Sequence, residues 1–209
     1  MTQSEFHYNF LLFGLPVFAY LLGSIPWGLV LTRVFTPVDI RNHGSGNIGT
    51  TNVSRVAGST LGMLTFVGDI LKGAVPAFLA ITVLDASNGP SESYLSLVAL
   101  AAFCGHLYPV FLKFKAGGKG VATTAGCFVV LSPLACMIAL LAFVLLLFSS
   151  RHVSVGSLAA ATVLPLAVWF SIHSIALTAG AGVMAVFIFI RHADNIKRLI
   201  SGTEPVFRK

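Results

Sequence analysis

Residues 133–149 read PLACMIALLAFVLLLFS, seventeen positions without a charge. A helix made from them has no polar face to turn toward water. Crossing a bilayer takes roughly 20 apolar residues, fewer where the bilayer is locally thinned. The same kind of stretch recurs on both sides, at about 10–34, 57–84, 94–112, 119–131, 156–171 and 174–190. The whole chain is 56% hydrophobic and 10% charged, against about 25% charged in soluble domains. It therefore reads as an all-α integral membrane protein of about seven transmembrane helices, with residues 1–209 as a single polytopic domain. Ser132-Pro133 separates the fourth segment from the fifth, because proline breaks a helix and restricts the residue before it. The sixth and seventh part near Ser171 to His173, and merging either pair would change the count. The first segment has no basic stretch before it and no convincing cleavage site after it, so it is expected to be a retained helix rather than a signal peptide.

The net charge is +6, and its placement tests the scheme. With the N-terminus outside, the cytoplasmic segments carry Arg33, Arg41, Arg55, Lys113, Lys115, Lys119, Arg151, Arg191, Lys197, Arg198, Arg208 and Lys209. The outside segments, near 1–9, 85–93, 132 and 172, carry no Lys or Arg. That segregation follows the positive-inside rule, puts the C-terminus in the cytoplasm, and accounts for the basic balance without nucleic acid. Lys72 is the exception, within a span. Asp69 lies three residues earlier on the same helix face, so the expected reading of the two is a structural ion pair. Cys104, Cys127 and Cys136 have no CxxC spacing, which points to neither a disulfide framework nor a zinc site.

Four polar clusters fall on the cytoplasmic side. The first is DIRNHGSGNIGTTNVSR, residues 39–55. Its small residues bring backbone N–H groups close to a ligand, and Arg41 and Arg55 bracket it with fixed positive charge. Gly44, Gly46 and Gly49 match a dinucleotide-binding spacing, but that fingerprint needs a strand and a βαβ unit. Thr50 stands where a Walker loop needs lysine. What remains is an anion cradle of backbone donors with Ser45, Asn47, Thr50, Thr51 and Asn52, and Arg55 in the following helix. The second cluster, KFKAGGKGVATT at 113–124, sets Gly117, Gly118 and Gly120 around Lys119 at a helix start, again an anion cradle. The third, RHVSVGS at 151–157, is weak alone, since Ser and Arg at a helix start are often cap and anchor. The fourth, RHADNIKRLISGTE at 191–204, places His192 and Asn195 three apart, one above the other on a helix face.

Familiar chemistries are missing. No His is followed five residues later by Asp, which removes the acid–base pair of the common acyl-CoA and acyl-carrier-protein glycerolipid acyltransferases. No Gly-x-Ser-x-Gly elbow occurs. Asp39, Asp194 and Glu204 are too scattered for a magnesium–diphosphate site. Two glycine-and-cation loops imply two phosphate subsites or one large one. Without a strong base, a reactive donor such as an acyl phosphate suits a protein that works by positioning and charge stabilisation.

These motifs resemble those of the PlsY family, the bacterial acyl-phosphate:glycerol-3-phosphate acyltransferases. The resemblance runs through GSIPWG at 23–28, the 39–55 loop, GDILKG at 68–73, GHLYPVFLKFKAGGKGVAT at 105–123, the serines of 151–157, and RHADNIKRLISGTEP at 191–205. It implies transfer of a fatty acyl group from acyl phosphate to the 1-hydroxyl of glycerol 3-phosphate. The products would be lysophosphatidic acid and phosphate, in the first acylation of phospholipid synthesis. By resemblance, Ser45 with Gly46, Asn47 and Thr51 would hold the acyl-phosphate end. Arg55 and Lys119 would bind the phosphate of glycerol 3-phosphate. Ser157, His192 and Asn195 would surround the attacking glycerol, and Glu204 would be structural. Neither metal nor CoA nor another cofactor is implied, and a phosphate oxygen of the donor would take the hydroxyl proton. The implied partners are the two substrates, membrane lipid and the soluble phosphate acyltransferase that makes acyl phosphate. The implied place is the bacterial inner membrane with the site facing the cytoplasm. Two departures from the family pattern are Ala116, an insertion before the glycines, and Thr50 in place of alanine. The rival readings are a transporter of a phosphorylated metabolite and a structural membrane partner of lipid-synthesis enzymes. The one-sided polar clusters oppose the first, since alternating access needs a midplane site. The repeated glycine–cation loops go unexplained by the second.

Overall fold

A computed structural model of the chain describes residues 3–83, 91–115 and 117–207. Among them every regular element is a helix. Helix packing groups the chain into two units, Met1–Leu131 and Ser132–Lys209.

The first unit contains α1 (Gln3–Gly23), α2 (Trp27–Phe35), α3 (Thr50–Ala57), α4 (Ser59–Val83), α5 (Glu92–Leu107) and α6 (Val121–Leu131). The expected single span at 10–34 is two helices bent by 43°. Pro26 is the cause: it has no N–H to continue the ladder and pushes Ile25 out of the helical region. The 39–55 loop also ends in a helix of its own, α3, which Gly58 closes with φ +93° before α4 begins. Helix α4 is the spine, packing against α1, α2, α3, α5 and α6. Helices α1 and α5 approach backbone to backbone through Gly23 and Gly105, where any Cβ would overlap a carbonyl oxygen of the other helix.

The second unit contains α7 (Pro133–Ser150), α8 (Val153–Ile172), α9 (Ile175–Arg191) and α10 (Ala193–Ile200). The breaks expected at Ser132-Pro133 and near His173 are both present. α7 packs on α8, α8 on α9, and α9 on α10. Arg151 and His173, with φ 62° and 52°, turn the two tight corners.

Among the described residues four stretches are long and apolar enough to cross a membrane: Ser59–Thr82, Glu92–Leu112, Pro133–Ser150 and Val153–Ile172. The bent pairs α1–α2 and α9–α10 bring the number to six if each is one span. The fourth expected span, 119–131, holds only the eleven-residue helix α6. At 1.5 Å per residue it covers about half of a hydrocarbon core of roughly 30 Å. Phe13, Phe148, Phe170 and Ile175 lie largely exposed. Large apolar side chains turned outward along so many helices fit a lipid solvent. The protein is thus an all-α, multi-pass integral membrane protein.

Candidate active site

The 39–55 loop is built on an apolar seat. Leu29 of α2, Ile40, Ile48 and Val53 of α3 form a buried cluster, with Val56, Ala57, Leu61 and Leu112 packed around it. Ile48 reaches the seat because α2 has a glycine opposite it: a Cβ on Gly28 would overlap the Ile48 carbonyl oxygen. Leu112 introduces the second loop, so both glycine-rich loops are tied to this one seat.

Above the seat, Gly44 and Gly46 take φ of +61° and +68°, a region open to glycine at little cost. The turn they make leaves Ser45 exposed between them. Asn47 accepts the Gly49 N–H at 2.9 Å, an Asx turn that leads into α3. Asn52 is buried, its Oδ1 accepting the Ser45 N–H at 2.9 Å. Its Nδ2 donates to the carbonyls of Asn47 at 2.9 Å and His43 at 3.0 Å, with Ile40 at 3.4 Å. Thr51 is half-buried on the first turn of α3, and Arg55 is exposed on its last turn. Thr50 Oγ1 is buried, with no hydrogen-bond partner among the described residues.

Arg41 Nε donates to Asp39 at 2.9 Å, and the two form an ion pair. That side-chain contact, helped by the Arg41 backbone N–H, holds the Asp39 carboxyl far below the usual range and raises the Arg41 guanidinium further. Arg41 is thus committed to closing the 3-10 turn at Ile40–Asn42.

The second loop lies against the end of α5. The Gly118 N–H donates to the His106 carbonyl at 3.1 Å, and a Cβ on Gly118 would strike the His106 ring. Gly117, Gly118 and Gly120 are buried, and Lys119 is half-buried just before α6. Ala116, the inserted residue, lies outside the described residues. Lys113 and Phe114 are left-handed, with φ 53° and 63°, a conformation that non-glycine residues rarely take.

Beneath this loop, Lys72 Nζ sits 2.8 Å from Asp69 Oδ1 and donates to the Ile25 carbonyl at 3.1 Å. The His106 Nδ1 faces the same Asp69 oxygen at 3.6 Å. All three side chains are buried. The pair on α4 therefore reaches both the α1–α2 break and the residue on which Gly118 rests.

In the second unit the organiser is Glu204. Its Oε1 accepts from Asn195 Nδ2 at 2.7 Å and from Ser154 Oγ at 2.8 Å, and its Oε2 accepts from Arg198 Nε at 2.8 Å. Burial by itself raises this carboxyl, but the bonds from Asn195, Ser154 and Arg198 outweigh it and leave the group below its usual value. The Phe207 N–H donates to the Arg151 carbonyl at 2.7 Å, pinning the tail to the α7–α8 corner. His192 and Asn195 do not lie on one continuous helix. The chain bends by 56° between α9 and α10, and His192 is the junction. Its Nδ1 faces the Ile188 carbonyl at 2.8 Å. A carbonyl only accepts, so Nδ1 carries a proton. Ser157 is buried, its Oγ donating to the Val153 carbonyl at 2.9 Å.

The expected residues thus form two groups. Ser45, Gly46, Asn47, Thr51, Asn52 and Arg55 share the first unit with Gly117, Gly118, Lys119 and Gly120. Ser157, His192, Asn195 and Glu204 belong to the second. Sequence reasoning overlooked Ser154 and Arg198 as partners of Glu204, and His106 as a partner of Asp69. Ser154 carries a weak signal, lying one helical turn from Ser157; Arg198 and His106 carry none, because their partners are distant or lie across a turn. Among the described residues no three His, Cys, Asp or Glu side chains come together as a metal site would require.

A sequence model of the glycerol-3-phosphate acyltransferase family matches residues 13–202. The chain is 52% identical over 190 residues to the glycerol-3-phosphate acyltransferase of Syntrophotalea carbinolica, covering 91% of this chain and 94% of that one. With the enzyme of Trichlorobacter lovleyi it shares 49% identity over the same shares of the two chains. A crystal structure of PlsY, an integral membrane glycerol 3-phosphate acyltransferase in its glycerol 3-phosphate form, superposes with a TM-score of 0.87 at 38% identity. The match covers 94% of this chain and 96% of that one. The lysophosphatidic acid form of PlsY gives 0.85 at 37% identity, over 94% and 95% of the two chains. A match this long, through the loops that carry the polar residues and at this identity, places the protein in the PlsY family of glycerol-3-phosphate acyltransferases.

Proposed function

We propose that the protein acylates the 1-hydroxyl of glycerol 3-phosphate with acyl phosphate as the donor, at the cytoplasmic face of a bacterial inner membrane. The observation that carries this reading is the pair of glycine-rich loops on one apolar seat, one presenting Ser45 and the other Lys119. PlsY solved with glycerol 3-phosphate and with lysophosphatidic acid supports the acceptor and the product. The choice of donor rests on chemistry. The chain has no His-x-x-x-x-Asp pair to strip a proton from the acceptor, and an acyl phosphate brings its own base and a good leaving group.

In the proposed step the glycerol oxygen attacks the acyl carbonyl carbon. The bond from that carbon to the phosphate oxygen breaks, and the departing phosphate takes the hydroxyl proton. Ser45 and the Gly46 and Asn47 backbone hold the donor phosphate, with Thr51 alongside. Arg55 and Lys119 neutralise the acceptor phosphate. Each group works by position and charge, and none is covalently modified.

Purified protein given acyl phosphate and glycerol 3-phosphate is expected to release phosphate and lysophosphatidic acid, and acyl-CoA is expected not to replace the donor. Ser45→Ala and Arg55→Ala should each lose about 100- to 1000-fold in rate while remaining folded, the usual scale for an oriented charge-stabilising donor. Turnover with acyl-CoA alone would overturn the donor, and wild-type rates in both variants would overturn the residue roles.

A further inference from the structure

Resting on that reading of the Ser45 loop, we infer that Asn52 is the positioning residue of the acyl-donor loop rather than a group that touches substrate. An asparagine in such a loop invites the assignment of a phosphate ligand. Its geometry says otherwise. Asn52 is 2% exposed, and its whole amide is turned into the loop that precedes it. The Oδ1 holds the Ser45 N–H, and the Nδ2 reaches back to the carbonyls of His43 and Asn47. The orientation is fixed by chemistry, since the flipped amide would set oxygen against carbonyl oxygens and N–H against N–H. Two N–H donors and one acceptor are then all engaged, with the Ile40 carbonyl as a longer contact.

The arrangement does one specific thing. Gly44 and Gly46 make the turn possible, and the Gly46 N–H closes it on the His43 carbonyl at 3.0 Å, but neither ties it to α3. Asn52, on the first turn of α3, takes one bond from Ser45 and gives bonds to residues on both sides of it. It thereby fixes the exposed Ser45 and the Gly46–Asn47 backbone relative to the helix that carries Thr51 and Arg55. Gly44 belongs to the same device, because a Cβ there would overlap Asn52 Oδ1. Deleting the Asn52 amide removes the bond to the Ser45 N–H and the bond to the Asn47 carbonyl, while the His43 carbonyl keeps the Gly46 N–H at 3.0 Å, so the turn loses its ties to α3 on both sides of Ser45.

A double-mutant cycle tests this. Asn52→Ala should lower kcat/KM at least 30-fold in the wild-type background. In a Ser45→Ala background, where the Ser45 hydroxyl is gone and only the Gly46–Asn47 backbone is left to position, the further loss should be at least threefold smaller. The drop in Tm caused by Asn52→Ala should be the same in both backgrounds. Asn52→Asp keeps the acceptor for the Ser45 N–H but turns a carboxylate toward carbonyl oxygens. It should be impaired at pH 8 and recover relative to wild type as the pH falls and the protonated acid regains a donor. Gly44→Ala should reproduce the kinetic pattern of Asn52→Ala. Equal fold losses in the two backgrounds would mark Asn52 as a general structural residue and overturn the inference, as would wild-type activity in Asn52→Ala. Failure of all three variants to fold would overturn it too, by making Asn52 a folding residue. An inactive wild-type protein with acyl phosphate would instead fail the functional reading on which the inference rests.

Discussion

Glu204 gathers a hydroxyl from α8 and an amide and a guanidinium from α10 onto one carboxylate. These donors favour the charged form, so its folded pKa lies below the usual glutamate value. A depressed pKa contributes stability above the unfolded value of about 4.3, and loses it as the pH falls through the folded one. Glu204→Gln should therefore lower Tm at pH 7, and its difference from wild type should fade as the pH drops below about 4. A difference that persists unchanged into acid would show that the charge does not matter. Asn195 is held by the same carboxylate, so Glu204 fixes this α10 side chain from a distance of nine positions in sequence.

The breaks between helices do more for this molecule than the helices themselves. Pro26 interrupts the first span, and the carbonyl of Ile25 at that interruption receives Lys72 from α4. Bent helices in membranes are tolerated where other groups re-satisfy the freed backbone. Lys72 does so here, and Asp69 makes its charge supportable by lying 2.8 Å away. Asp69→Asn leaves the buried ammonium without a counter-charge, which should cost about 3–5 kcal/mol. Combining Asp69→Asn with Lys72→Met removes the orphaned charge and should recover much of that loss, as read by unfolding in detergent. Equal losses in the single and double variants would mean that the pair carries no electrostatic weight. The other breaks are used as well. The 36–49 segment after α2 becomes the Ser45 loop, the residues between α5 and α6 become the Lys119 loop, and the bend after α9 sets His192 Nδ1 against the Ile188 carbonyl.

For the whole molecule, the charge pattern predicts an orientation. On that prediction Ser91 at the start of α5 would face outside and Lys197 of α10 the cytoplasm. In protein whose native cysteines have been replaced, Ser91→Cys should react with a membrane-impermeant thiol reagent in intact cells. Lys197→Cys should react only after permeabilisation. The opposite pattern would invert the topology and put the glycine-rich loops on the wrong side for a cytoplasmic donor.

Composition, apolar run length and proline position made the membrane class, most of the helices and the breaks at Ser132-Pro133 and His173 legible in the sequence. These depend on local chemistry: a stretch without charges cannot stay in water, and a proline cannot continue a ladder. The same local chemistry marked the glycine–cation loops and paired Asp69 with Lys72, one helical turn apart. The broken first span was also written in the sequence, at Pro26, but the hydropathy of 10–34 as a whole masked it. Tertiary structure alone decided the rest, because it depends on residues distant in sequence. The Ser45 loop is seated by Gly28 and shares that seat with Leu112, and His106 supports Gly118. Glu204 finds Ser154 fifty residues away. Asn52 shows the limit most clearly, since its residue type suited a ligand contact, and only the direction of its buried amide assigned it to the loop.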